Sequence, residues 1–121
     1  MTNKTNNPSL DIVGIGNAIV DVLTTADDSL LERLAIKKGS MTLIDENKAE
    51  ELYEMTTNIT QRSGGSVANS LACVAQLGGK AAFIGRVRND KLGEIFTEEI
   101  STTGTIFKTP ASSVGPSTAR C

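Results

Sequence analysis

With 121 residues, no histidine, a net charge of −2 and aromatic side chains at 3% of the total, the chain is about one domain in size. It lacks the imidazole on which His-based metal sites, Ser-His or Cys-His nucleophile pairs and imidazole bases depend. The weak negative charge and sparse rings give no basis for a nucleic-acid surface, and no apolar run approaches the roughly 20 residues that a membrane span needs.

Met1 to Ser9 is polar with a single Lys, which excludes a signal peptide or anchor in that stretch and reads as a disordered tail of a cytoplasmic protein. Cys73 and Cys121 show no CxxC or zinc-ligand spacing, so reduced thiols are expected. Leu10 to Ile15 is a short apolar run broken by Gly14 and Gly16, a buried strand ending in a tight turn, with Asn17 to Asp21 just past its carboxyl end. Ser29 and Glu32 fit a capping box for a helix with Leu30, Leu31 and Leu34 on one side, Lys37 and Lys38 in the last turn and Gly39 as the stop. Met41 to Ile44 reads as a strand. Asp45 caps a helix with an apolar stripe of Ala49, Leu52, Tyr53 and Met55, and Ile59 to Arg62 is extended again.

The strongest periodic signal runs from Ser66 to Leu77. Val67, Leu71, Val74 and Leu77 form its apolar face, beside small Ala68, Ala72 and Ala75 that let a helix lie close to a sheet. Gly78-Gly79 stops it, and Lys80 to Val87 is a strand centred on Ala81, Ala82, Phe83 and Ile84. Asp90 caps a last helix with Leu92, Ile95, Phe96 and Ile100 at helical spacing, closed by Gly104. A short strand in Thr105 to Thr109 and a loop from Pro110 to Pro116 follow. Strand and helix alternate, so the expected class is α/β with a largely parallel sheet. The final turn signals announce an element that few residues remain to form, which predicts a truncated chain.

Gly64-Gly65 before the Ser66 helix carries the chemistry. Adjacent glycines permit positive φ and close approach of another molecule, and the helix start offers unpaired N–H groups and a positive dipole end. Asn69 lies one turn deeper on the same face as Gly65. Asp21 and Asn17 lie where open α/β sheets collect ligand groups, and a carboxylate beside an amide suits vicinal hydroxyls. The alternative readings are a solvated loop Asp, a turn-forming Asn and a plain strand-to-helix turn. Gly14-Ile15-Gly16 supplies two glycines of a dinucleotide fingerprint, but Ile19 occupies the third position, so a strand-end turn is preferred. Gly78-Gly79-Lys80 fails as a phosphate loop, with Val74 and Ala81 at the positions of the first Gly and the hydroxyl.

The run Gly64-Gly65-Ser66-Val67-Ala68-Asn69-Ser70, its helix through Leu77-Gly78-Gly79, then Phe83-Ile84-Gly85-Arg86-Val87 and Asn89-Asp90-Lys91-Leu92-Gly93 resembles the first signature of the ribokinase family. These are also called the PfkB carbohydrate kinases and include adenosine kinases. Gly14-Ile15-Gly16-Asn17 with Asp21 resembles the family's opening strand and sugar-binding Asp. The resemblance implies a ribokinase-like fold over residues 10–121, a largely parallel sheet flanked by helices with a small β lid from about 40–45 and 58–63. It implies ATP- and Mg-dependent phosphorylation of a primary hydroxyl on a sugar or nucleoside. Asp21, Gly65 and Asn69 would grip ring hydroxyls, with Asn17, Gly64 and Ser66 as lesser contributors.

Arg88, where many members carry Gly, departs from the pattern. The second signature, with its anion hole and catalytic Asp, belongs to the carboxyl-terminal half and is expected beyond Cys121. The chain is therefore read as an amino-terminal portion, inactive alone, with most nucleotide-binding residues and any metal ligand outside it. Asp27, Asp28 and Asp90 are better read as helix caps than as a catalytic base. The long interval from Asp21 to Gly64 leans towards the adenosine-kinase-like branch, and a homodimer through the lid is compatible with the reading. The other readings are a non-catalytic polyol-binding or interaction module and a dinucleotide-dependent enzyme.

Overall fold

The computed structural model describes residues 10–121, so the tail expected over Met1 to Ser9 lies outside the described residues. The chain divides into two compact units, one built from the residues up to Asp21 together with Arg62–Cys121, the other from Val22–Gln61.

In the first unit, β1 (Ile12–Ile15), β4 (Ala81–Ile84) and β5 (Ile106–Phe107) form a parallel sheet in the order β1-β4-β5. The aligned pairs Ile12 with Ala81 and Gly14 with Phe83 fix the register. Asp11 holds the entry to β4, donating from its N–H to the Lys80 carbonyl at 2.8 Å and accepting the Lys80 N–H on its carboxylate at 2.8 Å. The crossover helices are α3 (Ser66–Gln76) and α4 (Lys91–Thr102). A Cβ on Gly14 would lie 2.6 Å from a Val67 methyl and 2.8 Å from one of Leu71, and a Cβ on Gly16 would lie 2.8 Å from Val67. These glycines therefore admit α3 against β1, which is a packing role.

Phe83, Phe96 and Phe107 meet on the same side of the sheet with ring centroids 5.4–5.7 Å apart, and Val20, Leu71, Val87 and Ile100 are fully buried together with Phe83 and Phe96. Leu77 departs from the expected apolar face of α3: it is exposed, because it falls at the C-cap just before Gly78 turns the chain at φ 94°.

Ile19–Leu23 is a strand, β2, in a stretch for which the sequence announced no element of its own. Its β-branched Ile19, Val20 and Val22 favour extended backbone, and its partner is distant: Ile19 and Val20 pair in parallel with Ala119 and Arg120 of β6 (Ala119–Arg120). The second sheet has the order β3-β2-β6, with β3 spanning Thr60–Gly64. The last residues thus do form an element.

The Val22–Gln61 unit contains α1 (Asp28–Arg33) and α2 (Glu46–Met55), neither with a fully buried residue. Asp27, not Ser29, caps α1. Its carboxylate accepts the Leu30 N–H at 3.0 Å and the Ser29 hydroxyl at 2.7 Å, and these bonds, the hydroxyl first, hold its pKa below the usual carboxylate value. Asp28 is the first helical residue and pairs with Lys38 rather than capping. The helix stops at Arg33, before the basic pair, and Ala35 turns the chain at φ 52°. Asp45 caps α2 as expected, accepting the Lys48 N–H at 2.8 Å. Met41 to Ile44 is not a strand; Met41 and Leu43 are 92% and 95% exposed, so its apolar residues have no layer to bury against. Tyr53 accepts a bond from the Gln61 amide at 3.0 Å.

Asp90 joins two parts of the first unit. Its carboxylate caps α4 by accepting the Gly93 N–H at 2.7 Å and also accepts the N–H and hydroxyl of Thr118 at 2.8 and 2.7 Å. Desolvation is the largest single influence and raises its pKa, but the Thr118 and Gly93 bonds, with Arg88 nearby, together bring it below the ordinary value of 3.8. A depressed folded-state pKa contributes stability that is present above the unfolded value, near pH 4, and is lost as pH falls through the folded value. Asp90→Ala is expected to cost about 2 kcal/mol at neutral pH, from the lost cap and the stranded Thr118 groups. Urea denaturation at pH 7 and pH 3 should show that difference shrinking in acid.

Candidate functional site

Asp21 lies in the middle of β2, half-buried, and Gly64 ends β3. A Cβ at Gly64 would stand 2.5 Å from Asp21 Cγ and 2.6 Å from its Oδ1, so the missing side chain is the space that the Asp21 carboxylate fills. Gly65 follows as the N-cap of α3 at φ 97°, ψ 141°. A Cβ there would meet the Asn17 carbonyl oxygen at 2.7 Å, which places the Asn17 backbone over the helix start.

Gly65 has no side chain with which to cap α3, so the first-turn N–H groups from Ser66 onward stay available to an incoming acceptor. The first helical bond is Asn69 N–H to the Gly65 carbonyl at 2.9 Å. Asn69 and Ser66 are exposed. The hydroxyl of Ser70 bonds back to the Ser66 carbonyl at 2.8 Å and is thereby occupied. Five of the six residues singled out by sequence, Asn17, Asp21, Gly64, Gly65 and Ser66, are thus drawn together around one strand end and one helix start, with Asn69 one turn beyond. The arrangement offers a carboxylate acceptor, helix N–H donors and an amide. That is a donor and acceptor set for a polyhydroxylated molecule.

Beside it, an open cleft of about 520 Å³ lies at the carboxyl ends of β1 and β4, with Ile15, Asn17, Ile84, Arg86 and Thr109 among its lining. Asn17 borders both regions, whereas Asp21, Gly64, Gly65 and Asn69 do not line the cleft. The Arg86 guanidinium donates to the Ser112 hydroxyl and the Val114 carbonyl, both at 2.7 Å, and Arg88 donates to the Gly115 carbonyl. Nothing in the spacing singles out Arg86; the signal that could have found it is its place two residues past a parallel strand's carboxyl end. Arg88, the departure from the expected Gly, has its N–H on the Thr118 hydroxyl at 2.9 Å.

No group of three or more His, Cys, Asp and Glu able to hold a metal ion exists among the described residues. Among the described residues no helix is long and apolar enough to cross a membrane.

Comparison with known proteins gives a consistent picture. The pfkB family carbohydrate kinase profile matches residues 33–106. The adenosine kinase of Sinorhizobium meliloti superposes with a TM-score of 0.77 at 47% identity, over 93% of this chain and 34% of that one. A probable sugar kinase protein from Rhizobium etli gives 0.77 at 43% identity, again over 93% and 34%. Adenosine kinase 2 of Arabidopsis thaliana is 26% identical over 98 residues, 77% of this chain and 28% of that protein. The chain therefore spans about a third of the length of the solved kinases that it matches.

Proposed function

The chain belongs to the pfkB family of carbohydrate kinases and has its ribokinase-like α/β fold, and from that premise we propose that it supplies the hydroxyl-gripping part of an adenosine-kinase-like phosphotransferase. One observation carries the reading: the Asp21 carboxylate lies against Gly64, immediately before the glycine-capped start of α3. In this role Asp21 accepts O–H bonds from vicinal ring hydroxyls, the charge making each stronger than a neutral bond. Gly64 makes room for the Asp21 carboxylate, Gly65 leaves the first N–H groups of α3 uncapped for the ring, and Asn69 adds an amide on the same helical face as Gly65. Asn17 and Ser66 make lesser contacts.

The substrate proposed is a nucleoside whose primary hydroxyl is phosphorylated. The likeness to the Sinorhizobium meliloti adenosine kinase supports it, while the Rhizobium etli match keeps a simple sugar as the second candidate. ATP is the phosphoryl donor that the family implies, with Mg²⁺ as its proposed companion. Phosphoryl transfer needs charge stabilisation and a positioned base, and both are proposed to come from outside the residues described. The 121 residues by themselves are proposed to bind hydroxyls and transfer nothing. The segments near 40–45 and 58–63 are proposed as the lid, a cytoplasmic location as the setting, and a lid-mediated homodimer as the assembly.

Titration calorimetry with adenosine, ribose and fructose tests the binding claim. Asp21→Ala is expected to raise the dissociation constant of the preferred ligand by about one to two orders of magnitude, the loss of a hydrogen bond to a charged group. Unchanged binding in that variant would reduce Asp21 to a structural residue. Adenosine bound no better than ribose would move the proposal to sugars.

A further inference from the structure

Thr118 leads into β6 and is almost wholly buried, at 3% exposed. Its polar atoms are held by the connection between β4 and α4. The Thr118 hydroxyl donates to Asp90 at 2.7 Å and accepts the Arg88 N–H at 2.9 Å, while the Thr118 N–H donates to the other Asp90 oxygen at 2.8 Å. A Cβ on Gly93 would lie 3.2 Å from the same hydroxyl, so the first turn of α4 is closed down on it. A buried hydroxyl that both gives and takes a bond is fixed in one place. The residues that follow pass this placement on. Ala119 aligns with Ile19 and Arg120 with Val20, and the Cys121 N–H donates to the Val20 carbonyl at 2.9 Å. Val20 has no solvent exposure, and the next residue is Asp21. All of these residues belong to the first unit.

We propose that Thr118 is a positioning residue for hydroxyl recognition: docked on Asp90, it sets β6, and β6 sets the part of β2 that carries the Asp21 carboxylate. This role presupposes the reading of Asp21 as the hydroxyl acceptor and adds how that acceptor is held. Gly64 of β3 gives the carboxylate room on one flank of β2, and β6 fixes the backbone from the other. Recognition of a pair of ring hydroxyls needs its acceptor held to within about 0.5 Å, which a strand tied on both sides achieves and a free loop does not. Thr118, whose N–H and hydroxyl are both engaged, acts only through Asp21.

The experiment compares Thr118→Val, which keeps the shape and loses the hydroxyl, with Thr118→Ser, which keeps the hydroxyl. Calorimetry with adenosine, ribose and fructose is run under conditions where circular dichroism shows each variant folded. Thr118→Val is expected to raise the dissociation constant of the preferred ligand by about 3- to 10-fold, and Thr118→Ser by no more than about twofold. In an Asp21→Ala background the Thr118→Val effect should vanish, because the group it acts through is gone. Amide resonances provide a readout that needs no ligand: those of Asp21 and Gly64 are expected to move in Thr118→Val and to stay near their wild-type positions in Thr118→Ser. Asp90→Asn leaves one acceptor oxygen for the helix cap and loosens the same joint more mildly, so it replaces Thr118→Val should that variant not fold, with changes expected in the same direction. A Thr118→Val chain with a lowered urea midpoint but wild-type affinity, an equal loss of affinity with Asp21 already removed, or unmoved Asp21 and Gly64 resonances would each overturn the proposal. A wild-type chain that binds none of the three ligands would instead defeat the hydroxyl-site reading, and the resonances would still decide whether Thr118 holds Asp21.

Discussion

Phe96→Ala is expected to lower stability by about 3–5 kcal/mol, enough on its own to bring a marginal domain close to unfolding. Phe96 has no solvent exposure and stands between Phe83 and Phe107, at 5.7 and 5.4 Å between centroids, the second pair edge to face. Truncation removes the apolar contribution of a whole ring, opens a cavity and breaks two aromatic contacts at once. Refilling is hindered because the other two rings belong to β4 and β5, whose positions are fixed by parallel pairing. The measurement is the urea midpoint of the variant against Phe96→Leu, which fills much of the space and should recover more than half of the loss. Equal loss in both would show that ring stacking matters more than volume.

Gly65→Ala is the second large expectation, about 2–5 kcal/mol, combining left-handed backbone strain with a clash. At φ 97° an L side chain is strained whatever the space around it, and here its Cβ would also sit 2.7 Å from the Asn17 carbonyl. That obstacle is backbone, so relief requires moving either the chain between β1 and β2 or the first turn of α3. Both movements disturb the proposed hydroxyl site, and the variant should lose ligand binding together with stability. Gly64→Ala separates the two effects. Its φ lies outside the left-handed region and its Cβ would press on the Asp21 carboxylate, a movable side chain, so binding should fall by about an order of magnitude or more with a smaller change in urea midpoint.

Much of this was legible in the sequence because it was encoded locally. Asp45 and Asp90 announce the starts of α2 and α4 through short-range bonds to N–H groups three residues on, and the glycines at 78 and 104 announce helix ends. The family of the chain could be read from glycines and an Asn kept in order across several elements. The failures share a cause as well. β2 is held by β6, about a hundred residues away, and its half-buried Asp21 interrupts the apolar pattern by which a strand is read. Met41 to Ile44 has the composition of a strand, yet strand propensity expresses packing on a sheet, and Met41 and Leu43 stay almost wholly exposed. Asp27 and Ser29 both suit a cap, and the carboxylate prevailed by accepting from the serine as well as from the backbone. The roles of Gly14 and Gly16 were hidden for a different reason: a glycine that admits a neighbouring helix looks the same in a sequence as one that cradles a phosphate.

The distribution of rings gives the molecule a built-in pair of spectroscopic reporters. The chain has no tryptophan, three phenylalanines and one tyrosine. All three phenylalanines sit in the cluster of the first unit, whereas Tyr53 belongs to Val22–Gln61. Tyrosine emission excited near the red edge of its absorption therefore follows one unit alone, and the fine structure of phenylalanine near-ultraviolet dichroism follows the other. Melting curves recorded in the two channels on unlabelled protein will report whether the units lose their structure together or one after the other.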